Sequence, residues 1–175
     1  MKSGARIASS LSKIRLLALD IDGVLTDGRL YFGPKGEALK VFHVRDGHGI
    51  KLLLAGGVVV VAISGRRSSA AAARMRELGV DTLVQGCKDK VGALQAIAGK
   101  LNIPLKKCAC LVDDTPDMPL MSSVGLACAV ADAHPLVIRA AHWVSATPGG
   151  IGAVRELCDA ILRARAGRST VAERR

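Results

Sequence analysis

An apolar run that ends in two acidic residues constrains this chain more than any other feature. Residues 16–19 (Leu-Leu-Ala-Leu) resemble a buried strand and lead into Asp20-Ile21-Asp22-Gly23. Side chains at i and i+2 project to the same side of a strand, so both carboxylates face one crevice beyond its end. Carboxylates this close repel each other unless a cation or a shared proton separates them. Mg²⁺ prefers oxygen ligands and often binds substrate phosphates, so the motif predicts metal-assisted chemistry at a phosphate.

The structural alternative is that Asp20 and Asp22 only cap the loop after the strand, because Asp is common in turns. An isolated D-x-D-G motif favours this interpretation, since short motifs match by chance. Features further along the chain favour the catalytic interpretation.

Composition favours an α/β fold with a mostly parallel central sheet. The 175 residues suffice for one domain with a sizeable core. Half of the residues are apolar but only four are Phe, Tyr or Trp, so Val, Leu, Ile and Ala must build the core. Aliphatic cores suit parallel strands buried on both faces, and strands that alternate with helices predict β-α-β crossovers.

The formal net charge of +10 bears on the expected partners. Nucleic acid is disfavoured as a partner, because aromatic residues that could stack on bases are scarce and no zinc-finger spacing occurs. A small anionic substrate accounts better for the charge, and nucleic-acid association stays a weaker alternative. No apolar stretch approaches the roughly 18 residues of a membrane span. The five cysteines are odd in number and no export signal is recognised, so we expect a cytoplasmic protein without membrane association.

The chain divides into a basic lead over residues 1–13, expected to be flexible, a single domain over 14–166 and a tail over 167–175. Asp46 is expected to cap a helix that Gly56 ends. The other predicted elements are strands over 14–20, 58–63, 82–85, 108–113, 126–130 and 142–145, a hairpin within 29–43, and helices over 69–78, 89–101, 116–123 and 151–165.

Polar groups follow the predicted elements at one edge of the sheet, where open α/β sheets bind their ligands. They are Asp20 with Asp22, Ser64, Lys90 and Asp113. Each has a structural alternative: Ser64 as a helix cap, Lys90 as a solvated charge, and Asp113 as a turn residue. Together they offer a nucleophile, phosphate-binding groups, a cation and a further carboxylate for a metal ion. Phosphoryl transfer requires these groups.

The order and local sequence of these motifs resemble the haloacid dehalogenase superfamily of phosphohydrolases. Within it, they resemble the small capless group of 3-deoxy-D-manno-octulosonate 8-phosphate phosphatases. The resemblance covers about residues 14–163 and implies a Rossmann-like three-layer sandwich with a small β-hairpin insertion and no cap domain. The segments that carry it are 20–28, 42–47, 64–66, 113–114 with Asp117, 129–133 and 149–153.

The resemblance implies roles for five acidic residues. Asp20 is expected to attack phosphorus and form an aspartyl phosphate, while Asp22 protonates the leaving alkoxide and then activates water. Mg²⁺ is expected on Asp20, the carbonyl of Asp22 and Asp113. Asp114 and Asp117 are expected to orient the metal ligands without binding the metal themselves.

Phosphate and substrate binding are expected from a second set of residues. Ser64 and the amide of Gly65 would bind the transferring oxygens, and Lys90 would neutralise them. Arg66 stands where the related nonulosonate 9-phosphate phosphatases tend to have Glu. Its guanidinium can form two parallel hydrogen bonds with the carboxylate or the phosphate of a sugar acid. Exposure to solvent is its structural alternative. Arg74 matches a basic position that reaches a neighbouring subunit's site in this group.

The group also implies a homotetramer in which the hairpins meet and neighbours cover the active sites. Tyr31, Phe32, Val41 and Phe42 would give the hairpin an apolar surface that a monomer should not expose. Simple packing of these residues on their own domain is the alternative.

The resulting prediction is a Mg²⁺-dependent phosphatase that hydrolyses 3-deoxy-D-manno-octulosonate 8-phosphate for lipopolysaccharide sugar synthesis. Two residues depart from the group: Val112 stands where Gly is usual, and Ile151 where a basic residue is frequent. A nonulosonate 9-phosphate or broader sugar phosphatase is one alternative. A catalytically impaired relative that binds sugar phosphates, suggested by Val112, is another.

Overall fold

A parallel sheet forms the centre of the computed structural model, which describes residues 4–172. In this range the strands are β1 (Leu16–Leu19), β2 (Tyr31–Gly33), β3 (Gly36–Leu39), β4 (Val59–Ser64), β5 (Thr82–Gln85), β6 (Cys108–Val112), β7 (Leu126–Ala129) and β8 (Trp143–Val144). Six of them make one sheet in the order β5-β4-β1-β6-β7-β8, and every neighbouring pair is parallel. Strands β2 and β3 form a separate antiparallel hairpin. The predicted α/β class, parallel sheet and hairpin insertion are confirmed.

Helices cover the sheet. They are α1 (Gly4–Leu11), α2 (Val44–Ala55), α3 (Ser69–Leu78), α4 (Lys90–Lys100), α5 (Met118–Ser123), α6 (Pro135–Ala140) and α7 (Ala153–Ala172). Short 3₁₀ helices at Leu105–Lys107 and Thr115–Asp117 precede β6 and α5. Helix α7 packs on α2 and α1, while α5 contacts both α4 and α6.

The core is aliphatic, as the composition predicts. All residues of β1, β6 and β7 are buried, so both faces of the central strands are covered. This burial agrees with the predicted three-layer sandwich.

The order of the strands reverses at β1. Strands β4 and β5 lie on one side of it, and β6, β7 and β8 on the other. In open α/β sheets, the connections diverge at such a point and leave a crevice beyond the carboxyl ends of the strands. The topology therefore opens a crevice directly after Leu19.

Local signals place helix α3 where the sequence predicts it. Helix α3 spans the predicted residues 69–78, because Ser68 Oγ accepts the amide hydrogen of Ala71 at 3.4 Å and Gly79 ends the helix with φ of 77°. A residue with a left-handed backbone satisfies the last helical carbonyls, and glycine adopts that conformation without a steric cost.

The two ends of the chain differ from the prediction. Residues 4–11 form α1 instead of a loose lead, because Ile7 and Leu11 pack against the core. Helix α7 continues to Ala172, beyond its predicted end at 165. Residues 1–3 and 173–175 of the predicted lead and tail lie outside the described residues, and the division into lead, domain and tail stays a prediction.

Helix α6 was not predicted, because its six residues are too few to reveal a helical period. Its local signals are His134, whose Nδ1 accepts the amide hydrogen of Leu136, and a proline in the first turn. Proline is favourable there, because the first amides of a helix have no partner within it.

The prediction for Asp46 is wrong. His43 caps α2 through Nδ1, which accepts the amide hydrogen of Arg45 at 3.2 Å. The Asp46 carboxylate is buried and instead accepts the amide hydrogens of Gly152 at 3.1 Å and Arg155 at 2.8 Å. It caps the beginning of α7 across the interface between α2 and α7, where free amides would otherwise be buried.

The hairpin surface agrees with the prediction for three of its four apolar residues. Phe32 is 66% exposed, and Tyr31 and Val41 are also exposed. Phe42 differs, since it is partly buried and packs against the core of its own domain. The exposed apolar surface of the hairpin therefore comes from its strands and from Val41.

Candidate active site

The carboxyl ends of neighbouring strands bring the predicted residues into one cavity. Asp20 follows β1, Ser64 ends β4 and Asp113 follows β6, so all three stand at the same edge of the sheet. The cavity there measures about 630 Å³. The predicted residues that line it are Asp20, Asp22, Ser64, Gly65, Arg66, Lys90, Asp113, Asp114 and Asp117.

Three carboxylates converge at the floor of the cavity. Asp20, Asp113 and Asp117 each offer an oxygen, and these oxygens lie within 4.8 Å of one another. Burial raises the pKa of Asp20 to about 6, although Lys90 opposes the rise. The pKa of Asp113 is raised to about 7, mainly by burial and further by the negative charges of Asp20 and Asp117. The cluster therefore holds more negative charge than its surroundings stabilise, and it attracts a cation.

Lys90 supplies one positive charge to this cluster. Its Nζ lies 2.9 Å from Asp20 Oδ1, and 2.7 and 2.9 Å from the two carboxylate oxygens of Asp117. Burial alone would lower the pKa of Lys90, but Asp20 and Asp117 raise it above its ordinary value. Asp89 caps α4 by accepting the amide hydrogen of Gly92 at 2.9 Å, which fixes Lys90 at the start of the helix. The ammonium therefore stays charged and faces the nucleophile predicted at position 20.

Ser64 and Asp22 stand beside the carboxylate cluster. Ser64 Oγ donates to Asp22 Oδ2 at 3.4 Å and accepts the amide hydrogen of Arg66 at 3.1 Å. The Ser64 side chain is buried, and Gly65 lines the cavity next to it. Ser64 and Gly65 thus line the same cavity as Asp20.

The geometry of the acidic loop, residues 20–28 after β1, requires glycine at position 23. Its φ is 88°, and a β-carbon at this position would overlap the Asp113 carboxylate. Only glycine combines the positive φ with this close approach. The loop is fastened further by Gly150, whose amide donates to the carbonyl of Val24 at 2.9 Å. The double glycine that precedes α7 thus supports the loop that carries Asp22.

Arg66 and Arg74 occupy different surroundings. Arg66 lies at the cavity, where Nη2 is 3.1 Å from Glu37 Oε2. Arg74 lies on α3, where it pairs with Glu77 at 2.9 Å and its guanidinium covers Gly47 of α2. Arg74 is not among the residues that line its own chain's cavity. The structure therefore brings Arg66 to the site and leaves Arg74 outside it.

Asp114 and Asp117 differ in burial. Asp117 is buried within the carboxylate cluster, and burial raises its pKa. Asp114 is exposed and accepts the amide hydrogen of Thr115 at 2.7 Å, which begins a 3₁₀ helix. Asp114 lines the cavity without joining the cluster of three carboxylates.

Val112 fits its position without distortion. It is the last residue of β6, fully buried and paired with Ala129 of β7. In residues 4–172, Asn102 is the only non-glycine residue with positive φ. A β-branched residue before Asp113 therefore causes no backbone strain. Ile151 is exposed, and its carbonyl lies 3.5 Å from Arg45 Nη2.

Two further residues at this site were not predicted from the sequence. Lys40 and Glu37 come from the hairpin, and Lys40 pairs with both Asp22 and Glu37. No local pattern marks either residue, because their approach to the cavity depends on how the hairpin folds back over the end of β1.

The residues present fit a hard divalent cation. Mg²⁺ prefers oxygen ligands, and Asp20, Asp113 and Asp117 provide three converging carboxylates whose pKa values are all raised by burial. With Lys90 and Ser64 beside them, the arrangement can bind a phosphate ester and present one carboxylate to its phosphorus.

Comparison with known proteins agrees with this geometry. Residues 79–154 match the family model of haloacid dehalogenase-like hydrolases. The 3-deoxy-D-manno-octulosonate 8-phosphate phosphatase KdsC of Yersinia pestis is 46% identical over 153 residues, which cover 87% of this chain and 82% of the relative. KdsC of Escherichia coli strain K12 is 45% identical over 160 residues, which cover 91% and 85% of the two chains.

Solved structures with this fold include two phosphatases of the same description. The Yersinia pestis enzyme superposes with a TM-score of 0.89 at 44% identity, and the match covers 91% of this chain and 86% of that one. The Moraxella catarrhalis enzyme, determined in complex with magnesium ion, phosphate ion and a KDO molecule, has a TM-score of 0.90 at 33% identity and matches 98% and 99% of the two chains. Within residues 4–172, no helix is both long and apolar enough to cross a membrane.

Proposed function

This chain belongs to the 3-deoxy-D-manno-octulosonate 8-phosphate phosphatases of the haloacid dehalogenase-like hydrolases, and we propose that it hydrolyses 3-deoxy-D-manno-octulosonate 8-phosphate to the free sugar acid and phosphate. The observation that carries the proposal is the Asp20 carboxylate, which lies 2.9 Å from Lys90 Nζ and within 4.8 Å of oxygens of Asp113 and Asp117. This arrangement occurs in a chain about 45% identical to enzymes named for that reaction.

Asp20 is the proposed nucleophile. One carboxylate oxygen attacks phosphorus in line with the leaving oxygen, which gives an aspartyl phosphate. Lys90 keeps its charge and holds Asp20 in place while phosphoryl oxygens approach. Asp20, the carbonyl of Asp22 and Asp113 would hold Mg²⁺, supported by Asp117 and Asp114. Bound there, the cation would reduce the repulsion between the anionic nucleophile and the anionic phosphate.

Asp22 is the proposed acid and base. As a carboxylic acid it gives its proton to the leaving alkoxide of the sugar, and as a carboxylate it then takes a proton from the water that attacks the phosphorylated Asp20. Ser64 Oγ and the amide of Gly65 would bind the transferring oxygens. The hydrogen bond from Ser64 to Asp22 joins these two parts of the site.

Arg66 is the residue proposed to recognise the substrate. A sugar acid presents a carboxylate besides its phosphate, and a guanidinium forms two parallel hydrogen bonds with such a group. Glu37 holds Arg66 at the cavity in the free chain. Arg74 would act on the site of a neighbouring subunit.

The proposed assembly is a homotetramer with the hairpins at its centre. Phe32 and Val41 are 66% and 52% exposed, which is unfavourable for a small monomer in water. Light scattering is expected to report roughly four chains per particle. A fully active monomer at all working concentrations would refute this assembly and the role of Arg74.

Phosphate release from a panel of sugar phosphates tests the function. With Mg²⁺, we expect the highest kcat/KM for 3-deoxy-D-manno-octulosonate 8-phosphate, and loss of turnover with EDTA or in Asp20→Asn. A higher value for a nonulosonate 9-phosphate, or equal values across the panel, would favour the related or broader sugar phosphatase. No turnover of any ester would favour the catalytically impaired relative. The cytoplasm is the proposed location, since the substrate is a phosphorylated biosynthetic intermediate.

A further inference from the structure

A buried lysine from the hairpin reaches the acidic loop of its own chain. The Lys40 side chain is only 2% exposed, and its Nζ pairs with Asp22 Oδ1 and lies 3.1 Å from Glu37 Oε2. A lysine ammonium is rarely buried unless carboxylates compensate for the lost hydration. The contact is therefore a specific part of the site and not an incidental surface pair.

The two oxygens of Asp22 are held by different parts of the chain. Lys40, just after β3, holds Oδ1, while Ser64 at the end of β4 donates to Oδ2 at 3.4 Å. A carboxylate fixed at both oxygens cannot rotate freely about its terminal bond. Without Lys40, the Asp22 carboxylate would keep the hydrogen bond from Ser64 as its one side-chain contact among residues 4–172.

Glu37 joins this contact to the substrate-binding side of the cavity. Its Oε2 lies 3.1 Å from Lys40 Nζ and 3.1 Å from Arg66 Nη2. The series Asp22, Lys40, Glu37 and Arg66 alternates negative and positive groups. Each member therefore stabilises the position of the next.

We propose that Lys40 is a positioning residue, which orients the Asp22 carboxyl toward the leaving oxygen of the substrate. The inference rests on the proposed function, in which Asp22 is the acid. In that step the bond from Asp20 to phosphorus forms and the bond from phosphorus to the sugar oxygen breaks. Its electron pair stays on that oxygen, which takes the Asp22 proton. Lys40 itself exchanges no proton and does not contact the phosphate.

The leaving group provides the test. An alkyl sugar phosphate needs a proton on its leaving oxygen, whereas 4-nitrophenyl phosphate releases a stable anion without one. In Lys40→Met we expect kcat/KM for the sugar phosphate to fall about tenfold or more, within the range of general acid catalysis. The value for 4-nitrophenyl phosphate should stay within about threefold, since kcat/KM reports only the steps up to departure of the leaving group. Lys40→Arg should recover part of the loss.

Two further variants separate positioning from general effects. Lys100→Met removes an exposed lysine from the C-terminal end of α4, away from the hairpin and the cavity, and should leave both esters unaffected. In an Asp22→Asn background, Lys40→Met should cause no additional loss on the sugar phosphate, because the group that it orients is already absent.

The outcomes distinguish this inference from the function on which it rests. Equal losses on both esters in Lys40→Met, or an additive loss in the Asp22→Asn background, would overturn the positioning role and leave the phosphatase intact. If the unaltered chain hydrolysed 4-nitrophenyl phosphate but no alkyl phosphate, the proposed function would fail, and the inference with it.

Discussion

Replacement of Asp20 by asparagine should stabilise the metal-free protein while abolishing its activity. Asn keeps the size of the side chain but removes a charge from a cluster in which Asp20, Asp113 and Asp117 converge. Lys90 would still be paired, because both oxygens of Asp117 lie within 2.9 Å of its Nζ. The substitution thus removes repulsion without leaving a buried cation alone.

The magnitude follows from the pKa of Asp20. Burial raises this pKa from 3.8 to about 6, and at about 1.4 kcal/mol per tenfold change in proton affinity the ionised carboxylate destabilises the metal-free fold by about 3 kcal/mol. Because folding raises this pKa, the folded state favours the protonated form of Asp20. The free energy of unfolding is therefore highest below about pH 3.8 and falls as the pH rises through about 6. The free energy of unfolding of Asp20→Asn should exceed that of the unaltered chain by less than about 1 kcal/mol at pH 4 and by about 3 kcal/mol at pH 8.

Urea unfolding in EDTA, at equal protein concentration, measures this difference at several pH values. Asp81→Asn is the matched control, since Asp81 is exposed in the loop between α3 and β5 and lies outside the cluster, and the free energy of unfolding should not change. Added Mg²⁺ should stabilise the unaltered chain and reduce the difference. An Asp20→Asn protein less stable than the unaltered chain at pH 8, or a difference independent of pH, would refute the reasoning.

Three further substitutions test other parts of the account. Gly23→Ala would place a β-carbon against Asp113 at φ of 88°, so a Mg²⁺ titration of activity should give a half-saturation at least about tenfold higher; an unchanged value would contradict the role of this loop. Asp46→Ala should cost about 1–3 kcal/mol in urea unfolding, because two amides of α7 lose their acceptor; no loss of stability would refute that cap. Arg66→Ala should lower kcat/KM for the sugar-acid phosphate by about 2–4 kcal/mol relative to 4-nitrophenyl phosphate; equal losses would assign Arg66 to the phosphoryl group.

Where residue type and local spacing decide the structure, the sequence predicts it well. The central strands are continuous aliphatic runs, and Ser68 and Gly79 delimit α3 within the predicted bounds. Asp20, Ser64, Lys90 and Asp113 could be assigned to one site, because parallel strands of an α/β sheet present their carboxyl ends at one edge.

Contacts between distant segments could not be predicted in this way. Asp46 looks like a cap for its own helix, yet its carboxylate accepts amides from residues more than a hundred positions later. Lys40 looks like a solvated hairpin lysine, yet it is buried against Asp22. Helix α1 carries only two large apolar residues, Ile7 and Leu11, and it becomes part of the fold because both pack against the core. In each case, a partner supplied by the tertiary structure decides the outcome.

Capture of the covalent intermediate tests the central claim most directly. The Asp22→Asn variant should still accept a phosphoryl group from 4-nitrophenyl phosphate, whose leaving group needs no proton, but it lacks the base that activates water. With Mg²⁺ present, borohydride should reduce the resulting acyl phosphate, and mass spectrometry of the peptide should find homoserine at position 20. Asp20→Asn in the same background should give none. Release of one equivalent of nitrophenol without modification at Asp20, or modification at another carboxylate, would contradict the account.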